Sequence, residues 1–226
     1  MEGGMQVTAN GIGLEVERHG DPRGVPVVLI RGLGSQMIQW PERLVADFVA
    51  AGCHVVTFDN RDTGLSQKFG DGTLYTLSDM AADTVHLMDA LGIARAHVLG
   101  MSMGGMILHV MALEHPDRLL GAIAVMSSSR ATYLPRASPE VQAALLSEAP
   151  SGARQDVIAH ELATGRLWQS PAWPFDDAVR GAMIGRCWDR CYCPDGVSRQ
   201  LRAMEASRPV LDRIEAIAAP TLVIHG

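Results

Sequence analysis

The sequence predicts an α/β protein whose mostly parallel sheet carries helices on both of its faces. Three observations lead to this fold class. Short apolar runs rich in valine and isoleucine, such as residues 25–30, alternate with segments of helical periodicity. Glycine stops the helical segments, as Gly52 and Gly92 do. Strands that alternate with helices at this spacing favour right-handed crossovers and therefore parallel pairing.

The elements follow in chain order from the same signals. Strands are predicted at residues 6–8, 14–18, 25–30, 54–58, 96–99, 121–126 and 221–224, the first two joined by a hairpin turn at Asn10 and Gly11. Helices are predicted from Pro41 to Gly52, at 78–91 and at 103–115. Residues 137–207 contain no convincing strand, which indicates a helical insertion after the sixth strand. The predicted domains are a core over 1–128, a helical cap over 129–213 and the start of the remaining core over 214–226.

Composition and charge narrow the class of protein. The net charge is −6 without a cluster of Lys or Arg, so nucleic acid is not an expected partner. Residues 1–20 lack the apolar run of a signal peptide, and no stretch of about 18 apolar residues predicts a membrane span. A cytoplasmic protein is therefore expected.

Three of the four cysteines lie close together in the sequence, at Cys187, Cys191 and Cys193. Their C-x3-C-x-C spacing matches no usual zinc pattern, and no histidine is placed to complete one. We interpret them, with Cys53, as reduced cysteines, and a metal site is the alternative. No metal and no cofactor is expected.

The pentapeptide Gly100, Met101, Ser102, Met103, Gly104 carries the strongest chemical signal. It follows a predicted strand and opens a predicted helix, which is the context required of a G-x-S-x-G nucleophile elbow. Such a turn strains the backbone of its middle residue and exposes that side chain. Glycine is needed on either side because a Cβ would clash with the neighbouring strand and helix. The alternative is a Gly/Ser turn without chemistry.

Four segments together are similar to one family. They are the strand and loop at 27–34, the loop at 59–66, the elbow with its extension to Met106, and the segment 189–200. The chain resembles the α/β-hydrolase fold family, and within it the cofactor-free serine esterase branch that includes anthracycline methylesterase-like proteins. The likeness extends over the whole chain. Many members carry His-Gly where this chain has Arg31 and Gly32.

The resemblance implies roles for particular residues. Ser102 matches the nucleophile, and the backbone N–H groups of Leu33 and Met103 match the two oxyanion-hole donors. Each such donor stabilises the charge on the tetrahedral intermediate by about 3 to 4 kcal/mol. Asp59 is interpreted as a structural brace for its loop, and a catalytic role is the alternative.

A serine nucleophile also needs a histidine base and a carboxylate that orients it. The family order of serine, acid and histidine places both partners beyond Gly226, so a chain truncated before them is expected. On α-helical geometry His109 lies about 10 Å along the axis from Ser102 and is not expected to reach it. His86 and His97 are interpreted as partly buried structural histidines, and His225 is the remaining candidate base within the chain.

The predicted function is therefore a serine hydrolase that cleaves a small or medium carboxylic ester through an acyl-enzyme on Ser102. The same fold and serine also support perhydrolysis, lactone opening or carbon–carbon bond hydrolysis. A ligand-binding protein that lacks the base is the non-catalytic alternative. Aromatic side chains of the insertion could line an apolar pocket over Ser102 or form the core of the insertion itself; they are Trp168, Trp173, Phe175, Trp188 and Tyr192.

Overall fold

A computed structural model describes residues 4–131, 133–134 and 137–225. Residues 1–3, where the predicted core begins, and Gly226, where the last predicted segment ends, lie outside this described part. The strands are β1 Met5–Ala9, β2 Ile12–His19, β3 Val25–Ile30, β4 Cys53–Phe58, β5 Ala96–Met101, β6 Leu119–Val125 and β7 Thr221–Ile224. The α-helices are α1 Glu42–Ala50, α2 Leu77–Ala90, α3 Met103–Glu114, α4 Pro139–Leu145, α5 Arg154–Gly165, α6 Asp177–Arg190 and α7 Pro194–Ala206.

The strands form one mostly parallel sheet, as predicted, in the order β1-β2-β4-β3-β5-β6-β7. Strands β1 and β2 are antiparallel to each other, and β2 is antiparallel to β4, while all later pairs are parallel. The β1–β2 turn places Asn10 at φ 50° and Gly11 at φ 76°, the two positive values that a type I′ hairpin turn requires. Because β3, β4 and β5 run parallel to one another, the loops that follow them meet at one edge of the sheet.

Helices cover both faces of this sheet. Val28 and Ile30 of β3 face the larger core cluster, which α2 and α3 share. Val27 and Leu29 of the same strand face a second cluster, against which the apolar side of α1 packs. A strand that is buried on both sides requires an unbroken apolar run, and this requirement explains the sequence of β3.

The described residues divide into two compact units, one within Met1–Thr132 and Cys193–Gly226 and the other within Tyr133–Tyr192. The second unit contains α4, α5 and α6 and is shorter than the predicted cap over 129–213. The difference arises because α7 bonds to loops of the first unit, through Arg199 and Gln200. No helix in the described part of the chain combines the length and apolar character needed to cross a membrane.

Candidate functional site

Ser102 stands at the turn between β5 and α3, in the strained conformation expected of an elbow. Its backbone has φ 54° and ψ −120°, a region that non-glycine residues rarely adopt, and its side chain is exposed. The Ser102 N–H donates to the carbonyl of Val125 at 2.9 Å, and the Ser102 carbonyl accepts from the Ser127 hydroxyl at 2.8 Å. The end of β6 and the residues just after it therefore hold the strained turn from both sides. No local sequence signal indicates this role of Ser127.

Two glycines allow the elbow to pack closely against the neighbouring helix and strand. A Cβ on Gly100 would lie 2.2 Å from the carbonyl oxygen of Gly104, in the first turn of α3. A Cβ on Gly104 would lie 2.2 Å from the carbonyl oxygen of Ile30, at the end of β3. Real Cβ atoms do not approach backbone oxygens so closely, so the predicted reason for both glycines is confirmed.

Gly104→Ala is expected to lower the free energy of unfolding by about 3 kcal/mol, the upper end for overpacking, because the backbone of Ile30 and Arg31 must move away from the new Cβ. Chemical denaturation measures the change. Gly70→Ala is the matched control, since a Cβ at Gly70 meets no atom within 4 Å. Equal unfolding midpoints for the two variants would contradict the prediction.

The loop after β3 lies directly against the elbow. A Cβ on Gly32 would lie 3.1 Å from Ser102 Cβ and 3.5 Å from Ser102 Oγ, so this loop passes close to the Ser102 side chain and a larger residue here would crowd it. Leu33 follows immediately and is half-buried against the main core. Within the described residues, neither the Leu33 N–H nor the Met103 N–H donates a hydrogen bond.

Arg31 occupies the place where many members of the resembled family carry histidine. Its guanidinium carbon lies 4.8 Å from the centre of the Trp40 ring, and one Nη donates to Met101 Sδ at 3.4 Å. The stacked arginine therefore supports the loop from the side of β5.

Asp59 is fully buried and braces two loops, in agreement with the structural interpretation. Its carboxylate accepts hydrogen bonds from the N–H groups of Met37 at 2.7 Å and Leu65 at 2.9 Å. The carbonyl of Asp59 accepts from the Ser66 hydroxyl at 2.6 Å. These contacts fix the start of the loop that follows β4.

A buried ion pair lies further along the same loop. Arg199 of α7 donates to both carboxylate oxygens of Asp62, at 3.0 and 2.8 Å, and the two side chains are 7% and 0% exposed. Tyr75 donates its hydroxyl to Asp62 at 2.8 Å. Burial and this hydrogen bond raise the pKa of Tyr75, so it remains a donor at neutral pH. The pairing raises the pKa of Arg199.

The histidines are spread over the molecule. His109 is half-buried on α3, burial lowers its pKa, and Nδ1 has no hydrogen-bond partner among the described residues. His97 is half-buried, as expected, but the interpretation of His86 as partly buried is wrong: its side chain faces solvent on α2. In the part of the chain that the structure describes, no hydrogen bond joins Ser102 Oγ to a histidine or a carboxylate.

The three neighbouring cysteines lie in α6 or between α6 and α7. Cys187 lies in α6, Cys191 at its end and Cys193 just before α7. No group of three His, Cys, Asp or Glu among the described residues is arranged to hold a metal ion.

Trp168 and Trp173 are 50% and 71% exposed, so they do not form a closed core within the second unit.

An exposed serine on a strained turn, at the carboxyl end of a central parallel strand, defines the class of α/β proteins built on a nucleophile elbow. The model of the alpha/beta hydrolase fold family matches residues 25–172, which is more than half of the chain. The chain belongs to this family.

Individual relatives agree with the family. The chain is 30% identical over 190 residues to rhodomycin D methylesterase DauP of Streptomyces sp. (strain C5), covering 75% of this chain and 63% of DauP. It is 39% identical over 116 residues to rhodomycin D methylesterase DnrP of Streptomyces peucetius, covering 50% of this chain and 39% of DnrP. The chain thus spans less than two thirds of the length of these curated relatives. The crystal structure of the enol-lactonase from Burkholderia xenovorans LB400 has the same fold, with a TM-score of 0.76 at 24% identity over 98% of this chain and 81% of that one.

Proposed function

We propose that the protein is a serine hydrolase that cleaves a small or medium carboxylic ester through an acyl-enzyme on Ser102. The observation that carries the proposal is the position of the exposed Ser102 side chain against the Gly32 loop. The N–H groups of Leu33, in the loop after β3, and of Met103, directly after Ser102, donate to no acceptor among the described residues and occupy the chain positions of oxyanion-hole donors. The names of the relatives DauP and DnrP, both rhodomycin D methylesterases, support ester hydrolysis.

In the proposed reaction the hydroxyl oxygen of Ser102 bonds to the ester carbonyl carbon while its proton passes to a general base. The carbonyl electron pair moves onto oxygen, and the N–H groups of Leu33 and Met103 stabilise that oxyanion. Collapse of the intermediate releases the alcohol, which takes the proton from the base. Water then attacks the acyl-enzyme in the same way and releases the carboxylic acid.

Labelling with a fluorophosphonate tests the proposal. Serine oxygen bonds to phosphorus, fluoride leaves, and the hydroxyl proton passes to the base, so labelling requires an activated hydroxyl. We expect the protein, as its host produces it, to gain one phosphonyl group on the peptide that contains Ser102.

Heat-denatured protein and a Ser102→Ala variant are the controls, and neither is expected to react. If the folded native protein stays unlabelled, the hydrolase proposal is overturned and a ligand-binding role takes its place. Label on any other serine would overturn the assignment of the nucleophile.

A further inference from the structure

Gln200 is a fully buried amide that joins two loops at the elbow edge of the sheet, the edge where the loops after β3, β4 and β5 meet. Its Oε1 accepts from the Gly34 N–H at 2.8 Å, in the loop after β3. Its Nε2 donates to the Arg61 carbonyl and to the Thr63 hydroxyl, each at 2.8 Å, in the loop after β4. These partners fix the orientation of the amide, because the Gly34 N–H can only donate and the Arg61 carbonyl can only accept.

Asn60 lies in the loop after β4 and holds the first residue of the loop after β3. Its Nδ2 donates to the carbonyl of Arg31 at 3.1 Å, and the side chain is only 2% exposed. The loop after β3 is therefore held by an amide at Arg31 and by a second amide at Gly34. Leu33, whose N–H faces no acceptor within the described chain, lies between the two attachment points.

This stretch of backbone needs such support. Gly32 has no side chain to pack, and Gly34 adopts φ +63°, a left-handed conformation that glycine reaches easily and leaves easily. A Cβ at Gly34 would lie 2.8 Å from Val197 Cγ2, so α7 approaches the loop closely on the side of Gln200. An oxyanion donor is effective only if its position is fixed before the charge develops.

We propose that Asn60 and Gln200 are positioning residues that pin the loop after β3, so that the Leu33 N–H is held where an oxyanion forms beside Ser102. This inference rests on the proposed function. It adds to that function two side chains that do not touch the substrate and that act through the backbone of residues 31–34.

The test compares Gln200→Met and Asn60→Ala with Ser207→Ala as the matched control. Gln200→Met keeps the volume of the side chain and removes its hydrogen bonds. Ser207 lies at the end of α7, the helix that carries Gln200, and its hydroxyl accepts from the Leu77 N–H at 2.8 Å. Removing this hydroxyl weakens the attachment of α7 at a point away from the loop after β3. We expect kcat to fall by about 10- to 100-fold in both amide variants, less than the loss of a whole oxyanion donor, with KM unchanged within about twofold.

A tetrahedral analogue separates positioning from loss of structure. The Ser102 oxygen bonds to the carbonyl carbon of a trifluoromethyl ketone, the serine hydroxyl proton passes to the base, and the carbonyl electron pair moves onto oxygen to give an oxyanion. Its Ki is expected to rise in parallel with the loss of kcat/KM, while the Ki of a non-reacting amide analogue of the substrate stays constant. The Ser207→Ala variant should change neither constant, whatever its stability.

Hydrogen exchange gives a readout that needs no activity. The Gly34 N–H loses its acceptor in Gln200→Met, so exchange over residues 31–35 is expected to become at least about 10-fold faster there and to stay unchanged in Ser207→Ala. Unchanged exchange, or unchanged kcat in folded amide variants of an active protein, would overturn the positioning role. An inactive and unlabelled wild-type protein would overturn the proposed function instead, and exchange would still decide whether the loop is pinned.

Discussion

Ser102→Ala is expected to lower kcat for a carboxylic ester by a factor on the order of 10⁶, the size found when the nucleophile of a serine hydrolase is removed. In the proposed mechanism, alanine removes the oxygen that would form the acyl-enzyme and leaves the turn, the Gly32 loop and the backbone N–H groups in place. Residual rate should remain above that in water, because the proposed oxyanion donors would still act. Steady-state turnover of a nitrophenyl ester measures the effect.

Ser78→Ala is the control for this variant. Ser78 donates its hydroxyl to Glu114 at 3.0 Å on the surface between α2 and α3, so its removal should leave turnover unchanged. A Ser102→Ala variant that kept a tenth of the wild-type activity would mean that another group is the nucleophile. Circular dichroism verifies that both variants are folded.

Arg199→Met is expected to lower the free energy of unfolding by about 3 to 5 kcal/mol. The substitution leaves the Asp62 carboxylate, which is 0% exposed, buried without its cation. Its contacts to the Tyr75 hydroxyl and the Phe69 N–H remain, but neither carries a positive charge. Urea denaturation followed by tryptophan fluorescence measures the change.

Arg43→Ala removes an ion pair of the opposite kind and serves as the comparison. Arg43 and Asp47 are 89% and 63% exposed on α1, so solvent screens their attraction and the expected change is within about 0.5 kcal/mol. Unfolding of the two variants at the same denaturant concentration would show that the buried ion pair contributes no more than the exposed one.

Local sequence signals were sufficient for the elements that depend on short-range chemistry. The strand β3 begins and ends as predicted, since its apolar run reports burial on both faces. The Asn10–Gly11 turn and the glycine stops at Gly52 and Gly92 adopt the positive φ values that their residue types favour. The elbow at Ser102 was equally visible, because strand, glycines and helix all lie within a few residues.

The same signals were weaker where exposure depends on the neighbours of an element. His86 lies between the buried residues Val85 and Leu87, and the helical period alone did not show that its side chain faces solvent. The predicted cap extended to residue 213, because the helical pattern of α7 does not reveal which unit the helix packs in. Polar contacts to the loops of the first unit decide that question.

The sequence by itself determined the fold class, the order of the strands along the chain and the place of Ser102 on its turn, because hydrophobic period, turn chemistry and glycine placement act over short distances. Only the tertiary structure showed how the elbow edge is held together. Gln200 meets residues 166 and 139 positions away, and Arg199 meets Asp62 137 positions away. Such pairs leave no periodic or local trace, since a buried amide or ion pair is specified by the partners that folding brings to it.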